Sequence, residues 1–216
     1  MYKIAYIDES ESDRQNFQDY LKHTADLNDF FLEVLEPEPE PHEFARKLIN
    51  NHYQAIIIDF DLTEKNKLIH YKGSELANEI LNIRELFPVF VLTSYEDAAL
   101  MKVDDVNQVY AKRSIVHDED PLFLERVKQQ IKKFEQRIND AESRILELIQ
   151  LSKKTKLDAF EEEELIKLDN FIEKSLNKKS PMPNEFKSLS NETRLDKIID
   201  LLDRVDKTIQ KVKNKK

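Results

Sequence analysis

Hydrophobic residues follow two rhythms along the chain, and the change between them comes at about residue 120. Before it, short apolar runs alternate with segments of helical spacing. Lys3–Ile7 is an apolar run ending at Asp8 and Glu9, and Arg14–His23 then carries Phe17, Tyr20 and Leu21 at intervals of three and one. Phe30–Leu35 reads as a strand. Glu36–Pro41 reads as an extended connection, because its prolines lack an amide donor. Helical spacing returns at Phe44–Ile49. Gln54–Ile58 is a continuous apolar strand of the kind buried on both faces, and it ends at Asp59. A polar loop, Glu64–Lys72, leads to Gly73 and a helix carrying Leu76, Ile80, Leu81 and Ile83. Pro88–Thr93 is another buried strand, and Val109–Ala111 before Lys112 a weaker one.

Strands alternating with helices predict parallel βαβ units with right-handed crossovers. Residues 1–120 should therefore form an α/β domain, a doubly wound five-stranded parallel sheet of flavodoxin-like order 2-1-3-4-5. Ligands of such sheets sit beyond the carboxyl ends of the strands. Asp8, Glu9, Asp59, Thr93 and Lys112 all fall at such ends.

Beyond residue 120 no strand is evident, and residues 121–216 read as an all-α helical or coiled-coil unit for interaction. Leu124, Val127, Ile131, Phe134, Ile138, Ala141, Ile145 and Leu148 alternate spacings of three and four, a heptad seam. Asp120 and Pro121 offer an N-cap and a first-turn proline. The helix expected over 121–152 would be about 45 Å long, more than a domain of this kind needs. A second, over 158–177, should bury Phe160, Leu165, Leu168, Phe171, Ile172 and Leu176, with Glu161–Glu164 as a solvated first turn. A third is expected over 190–213, after the linker Asn177–Asn184 and the capping side chains of Ser190 to Thr193.

Composition narrows the possibilities. The single glycine, Gly73, argues against a hairpin-rich all-β fold, and the lack of cysteine removes disulfides and thiolate chemistry. Net charge is −9, unevenly placed: residues 1–120 carry 12 basic and 25 acidic side chains, the remainder 22 and 18. An acidic first half argues against nucleic acid and fits clustered acids that hold a cation. No apolar stretch approaches the roughly 18 residues of a membrane span, so the plain reading is a cytoplasmic protein with no membrane segment.

The motifs Ile4-Ala5-Tyr6-Ile7-Asp8-Glu9-Ser10 with Arg14, Ile56-Ile57-Ile58-Asp59, Val91-Leu92-Thr93-Ser94 and Tyr110-Ala111-Lys112 together resemble the receiver domain of bacterial response regulators. The resemblance covers roughly residues 1–118. It implies that Asp59 is a nucleophile accepting a phosphoryl group from a histidine kinase or phosphotransfer protein. It further implies Mg2+ held by Asp8, Glu9, Asp59 and the backbone carbonyl of Asp61. Lys112 would pair with phosphoryl oxygens, and Thr93 would hydrogen-bond the phosphoryl group. Such a module is not a turnover enzyme; it phosphorylates itself and loses the group slowly. Its output would run through protein contacts of the C-terminal helices, with a partner protein or in a homodimer. A phosphate sink, or a scaffold without output of its own, is the alternative.

The sequence departs from the family pattern at several places. Glu9 stands where aspartate is usual, Thr63 and Arg113 where proline is common, and the loop between Asp59 and Gly73 is longer. The segment between Thr93 and Lys112 is short, so the helix there should be stunted. The family's switch aromatic lies three residues before the lysine, where this chain has Val109; Tyr110 lies two before. A rival reading is also open. Asp59-Phe60-Asp61-Leu62-Thr63 matches the first motif of haloacid-dehalogenase-type phosphatases, in which Asp61 would be the general acid/base.

Overall fold

The computed structural model describes residues 1–24, 29–65, 67–94, 109–112, 115 and 121–175. Five strands form one parallel sheet: β1 (Tyr2–Ile7), β2 (Phe30–Leu35), β3 (Ala55–Asp59), β4 (Val89–Thr93) and β5 (Val109–Ala111). Their order is β2-β1-β3-β4-β5, the one the alternating pattern predicts. Between them run α1 (Glu11–Thr24), α2 (Pro41–Asn50) and α3 (Gly73–Ile83), and α4 (Pro121–Ser152) and α5 (Ala159–Ser175) follow. Among the described residues no helix is long and apolar enough to cross a membrane.

Every residue of β3 and β4 is buried, as expected of strands covered by helices on both faces. The alternation of their side chains divides the core in two. One face joins Ile7, Ile56, Ile58 and Val91 to Phe44 and Leu48 of α2 and Leu76 and Ile80 of α3. The other joins Tyr6, Ile57, Phe90 and Leu92 to Phe17 of α1 and to Phe123, Val127 and Ile131 of α4.

Three expectations need correction. Pro41 is not in the connection but opens α2, where its missing N–H has no intrahelical acceptor to lose. The loop between β3 and α3 is not simply polar: Leu62, Ile69 and Tyr71 are buried in the first core, and the Tyr71 hydroxyl donates to the Glu38 carbonyl at 2.5 Å. Phe160 is not buried but 83% exposed, because it lies in the first turn of α5, ahead of the apolar positions that turn inward. The helix expected over 190–213 and the chain between Thr93 and β5 lie outside the described residues.

The described residues form two compact units. One holds Met1–Ala141 with Lys174 and Ser175; the other holds Glu142–Glu173. The helix α4 thus contributes to both. In the first unit its seam residues Leu124, Val127, Ile131 and Phe134 are buried, and Phe134 meets Phe87 edge-on at 5.9 Å. In the second, Leu148 is buried, and Arg144 grips Glu164 of α5 through two hydrogen bonds of 2.9 Å. The first turn of α5 is capped reciprocally. The Glu161 N–H donates to Asp158 Oδ1 at 2.8 Å, and the Asp158 N–H donates to Glu161 Oε2 at 2.9 Å.

Candidate functional site

Parallel register aligns the strand ends that carry the chemistry. Ile7 lies opposite Ile58, Asp59 opposite Leu92, and Thr93 opposite Ala111. One step further along, Asp8, Asp59, Thr93 and Lys112 share the carboxyl edge of the sheet. Asp59, Thr93 and Lys112 line, with Glu9, Asp13, Asp61, Glu64 and Ser94, a cleft at that edge, and Asp8 lies buried behind it against Lys112.

Lys112 joins the acids. Its Nζ lies 2.8 Å from Asp59 Oδ1, 2.7 Å from Asp8 Oδ2 and 2.9 Å from Asp13 Oδ2. Asp8 and Asp59 are buried, so unpaired charges there would be costly, and the ammonium offsets them. Burial pushes the Asp59 carboxyl up to about 6; Lys112 opposes that shift and Asp8 adds to it. Lys112 itself is held above the ordinary lysine range. Burial would lower it, but the attraction of Asp59 and Asp8 outweighs burial.

Local hydrogen bonds fix each acid. Asp8 accepts from the Tyr6 hydroxyl at 2.5 Å and from the Ser10 N–H at 2.8 Å, and Arg14 Nη1 donates to the Asp8 carbonyl at 2.6 Å. Asp59 Oδ2 accepts the Asp61 N–H at 2.9 Å. Glu9 differs. Its Oε2 is buried and, among the described residues, has no hydrogen-bond partner; burial, reinforced by Asp8 and Asp59, pushes its carboxyl up to about 7. Asp8, Glu9 and Asp59 each offer a carboxylate oxygen within 4.8 Å of the others. Hard oxygens gathered so closely, one without a donor, are what a small divalent cation takes.

Asp61 stands apart from that trio. Its Oδ1 accepts Lys72 Nζ at 2.5 Å, the Thr63 hydroxyl at 2.7 Å and the Thr63 N–H at 3.1 Å. Burial alone would raise its carboxyl, but these donors more than compensate and hold it below the ordinary range. Gly73 is fitted against the same turn: its N–H donates to the Phe60 carbonyl at 2.8 Å, and a Cβ there would lie 2.0 Å from the Asp59 carbonyl oxygen.

The structure thus brings Asp8, Glu9, Asp59, Thr93 and Lys112 together, with Asp61 beside them and its side chain engaged elsewhere. It adds Tyr6, Asp13, Lys65 and Lys72. Tyr6 sits within an apolar strand and reads from sequence as core, which its stacking on Phe17 at 4.2 Å also makes it. Asp13 lies in the first turn of α1, where an aspartate reads from sequence as an ordinary complement to the helix dipole. Lys65 reaches Ser10 Oγ at 2.5 Å from the β3–α3 loop, a contact no local pattern encodes.

No family model and no curated protein matches the chain. Among solved structures, a yeast Spc42 trimeric coiled coil fused to another structure is similar over 69% of this chain and 94% of its own. Identity there is 16% and the TM-score 0.44. A BeF3-activated DrrB receiver domain is similar over 61% of this chain and 98% of its own, at 18% identity and a TM-score of 0.42. With likenesses so distant, the chain's fold stands on its own strand order and register: a five-stranded parallel sheet of order 2-1-3-4-5, followed by long helices.

Proposed function

We propose that the chain is a receiver module. Asp59 accepts a phosphoryl group from the phosphohistidine of a partner kinase or phosphotransfer protein, and the C-terminal helices carry the output through protein contacts. The observation that carries this reading is Lys112 Nζ set between Asp8 and Asp59 at adjacent strand ends, beside an acid trio and at a cleft. A purely structural role for buried acids would favour closed, fully paired carboxylates, whereas among the described residues Glu9 Oε2 has no donor.

Phosphoryl transfer to a carboxylate brings anions together, so the site must supply positive charge. Asp8, Glu9, Asp59 and the Asp61 carbonyl would hold Mg2+, which when bound neutralises charge on the phosphoryl oxygens. The protein's own groups do the rest. The Asp61 N–H and Lys112 orient the Asp59 carboxylate, Lys112 meets the phosphoryl oxygens, and the Thr93 hydroxyl at the cleft donates to them.

The phosphatase reading needs a free general acid at Asp61. The carboxyl there is held ionised by Lys72 and Thr63, which disfavours that role. The test is incubation with acetyl phosphate and Mg2+, followed by intact-mass measurement. Wild type should gain one phosphoryl group, Asp61→Ala should gain it too, and Asp59→Ala should not. No gain in wild type would overturn this reading and leave only the fold, without phosphoryl chemistry.

A further inference from the structure

Lys112 is shared among more carboxylates than phosphoryl acceptance requires. An ammonium carries three hydrogens, and Asp8, Asp59 and Asp13 take all of them at 2.7 to 2.9 Å. None is left for a phosphoryl oxygen unless one carboxylate releases the lysine. Asp8 and Asp59 are buried and held by further donors. Asp13 is different. It lies in the first turn of α1, its side chain is 37% exposed, and among the described residues Lys112 is the only hydrogen-bond partner of its carboxylate.

We propose that Asp13 is a positioning residue that competes with the phosphoryl group for Lys112, and so restrains phosphorylation of Asp59. The inference rests on the receiver reading of this site. In the transfer, an Asp59 oxygen forms a bond to phosphorus while the donor's P–N or P–O bond breaks, and the bonding pair leaves with the donor. The phosphoryl oxygens now beside Lys112 carry most of two negative charges. One lysine hydrogen turns from Asp13 to a phosphoryl oxygen, and the Asp13 carboxylate is left unpaired beside an anion. Both the lost ion pair and the new repulsion oppose the phosphorylated state.

The test compares Asp13→Asn and Asp13→Ser with Asp19→Asn. Asp19 lies on the same helix but pairs with Lys22 at 2.9 Å, at the surface. Three quantities are measured on the full chain: calorimetric affinity for beryllium fluoride with Mg2+ present, affinity for Mg2+ alone, and the rate of mass gain from acetyl phosphate. Both Asp13 variants should bind beryllium fluoride about two- to fivefold more tightly and gain mass faster by a similar factor, as expected for one partly exposed ion pair. Mg2+ affinity should not rise, because the competition is for the lysine, and Asp19→Asn should match wild type. If wild type gains mass but both Asp13 variants match it, the competition is refuted and the receiver reading stands. An equal gain in Asp19→Asn would reduce the effect to overall charge and refute it as well. If wild type gains no mass, the receiver reading falls and takes this inference with it.

Discussion

Asp59, at about 6, and Glu9, at about 7, hold protons in the folded chain that an unfolded chain gives up near pH 4. Between those values the folded state binds more protons, so these groups stabilise it at low pH and that stabilisation is lost as pH rises through the window. Without divalent cation, Asp59→Asn should therefore be more stable than wild type at about pH 7.5, by roughly 1–2 kcal/mol, and should lose that advantage by about pH 5. The raised carboxyl alone would give more, but the variant also deprives Lys112 of one partner. Urea denaturation at the two pH values checks it; a wild type more stable at the higher pH would contradict the buried, proton-hungry setting of Asp59. Mg2+ should raise the stability of wild type at about pH 7.5 more than that of the variant, because a ligand stabilises only the state that binds it. At this scale the strand-end acids and Lys112 were legible, since each closes an apolar run. Tyr6 and Asp13 were not, because a tyrosine in an apolar strand and an aspartate on a helix each have an ordinary explanation that only packing can override.

Elements dock on one another through contacts of very different tolerance. At the start of α3 the tolerance is nearly zero. A Cβ on Gly73 would lie 2.0 Å from the Asp59 carbonyl oxygen and 2.9 Å from its carbon, both backbone atoms. Gly73→Ala must therefore push α3 away from the end of β3, at a cost of about 2–4 kcal/mol. The same shift would disturb Asp59, so phosphoryl acceptance should fall along with the denaturation midpoint. The seam of α4 is the softer case. Phe134 fills space against Phe87 and under the Arg84 guanidinium, which lies 5.7 Å from its ring centre. Phe134→Ala should cost about 3–5 kcal/mol, and Leu146→Ala, at a 60% exposed position of the same helix, under about 0.5 kcal/mol. Comparable losses at both positions would mean the buried and exposed faces of α4 are misassigned. Strand order and the α4 seam were readable because periods of two and of three-and-four survive in one sequence. The buried loop residues Leu62, Ile69 and Tyr71 have no period, and their burial follows only from where β3 and α3 place the loop.

For the whole molecule, the coupling of interest is between an event at Lys112 and the helix α4, which contributes to both units. Two residues before Lys112, the ring of Tyr110 meets Phe123 of α4 at 5.3 Å and 67°, and Phe90 of β4 lies 5.8 Å from both rings. Val109, at the place where the receiver family carries its switch aromatic, packs instead with the core on the α2–α3 side. The aromatic link in this chain therefore points to α4 rather than across the other face. Since α4 contributes to both compact units without interruption, a change in its packing at Phe123 has a continuous element along which to act. Amide hydrogen exchange, followed along α4 with and without acetyl phosphate and Mg2+, reads this directly. Wild type should change its exchange in the turns around Phe123 on phosphorylation, and Asp59→Ala should not. Phe123→Leu keeps an apolar side chain but removes the edge-on ring contact, so it should still accept the phosphoryl group while the change in α4 shrinks. Light scattering on the same samples should show an association state that depends on phosphorylation in wild type and less so in Phe123→Leu. If exchange in α4 and the association state are both indifferent to phosphorylation, the site and the long helix are energetically separate, and the chain acts as a phosphate store without output of its own.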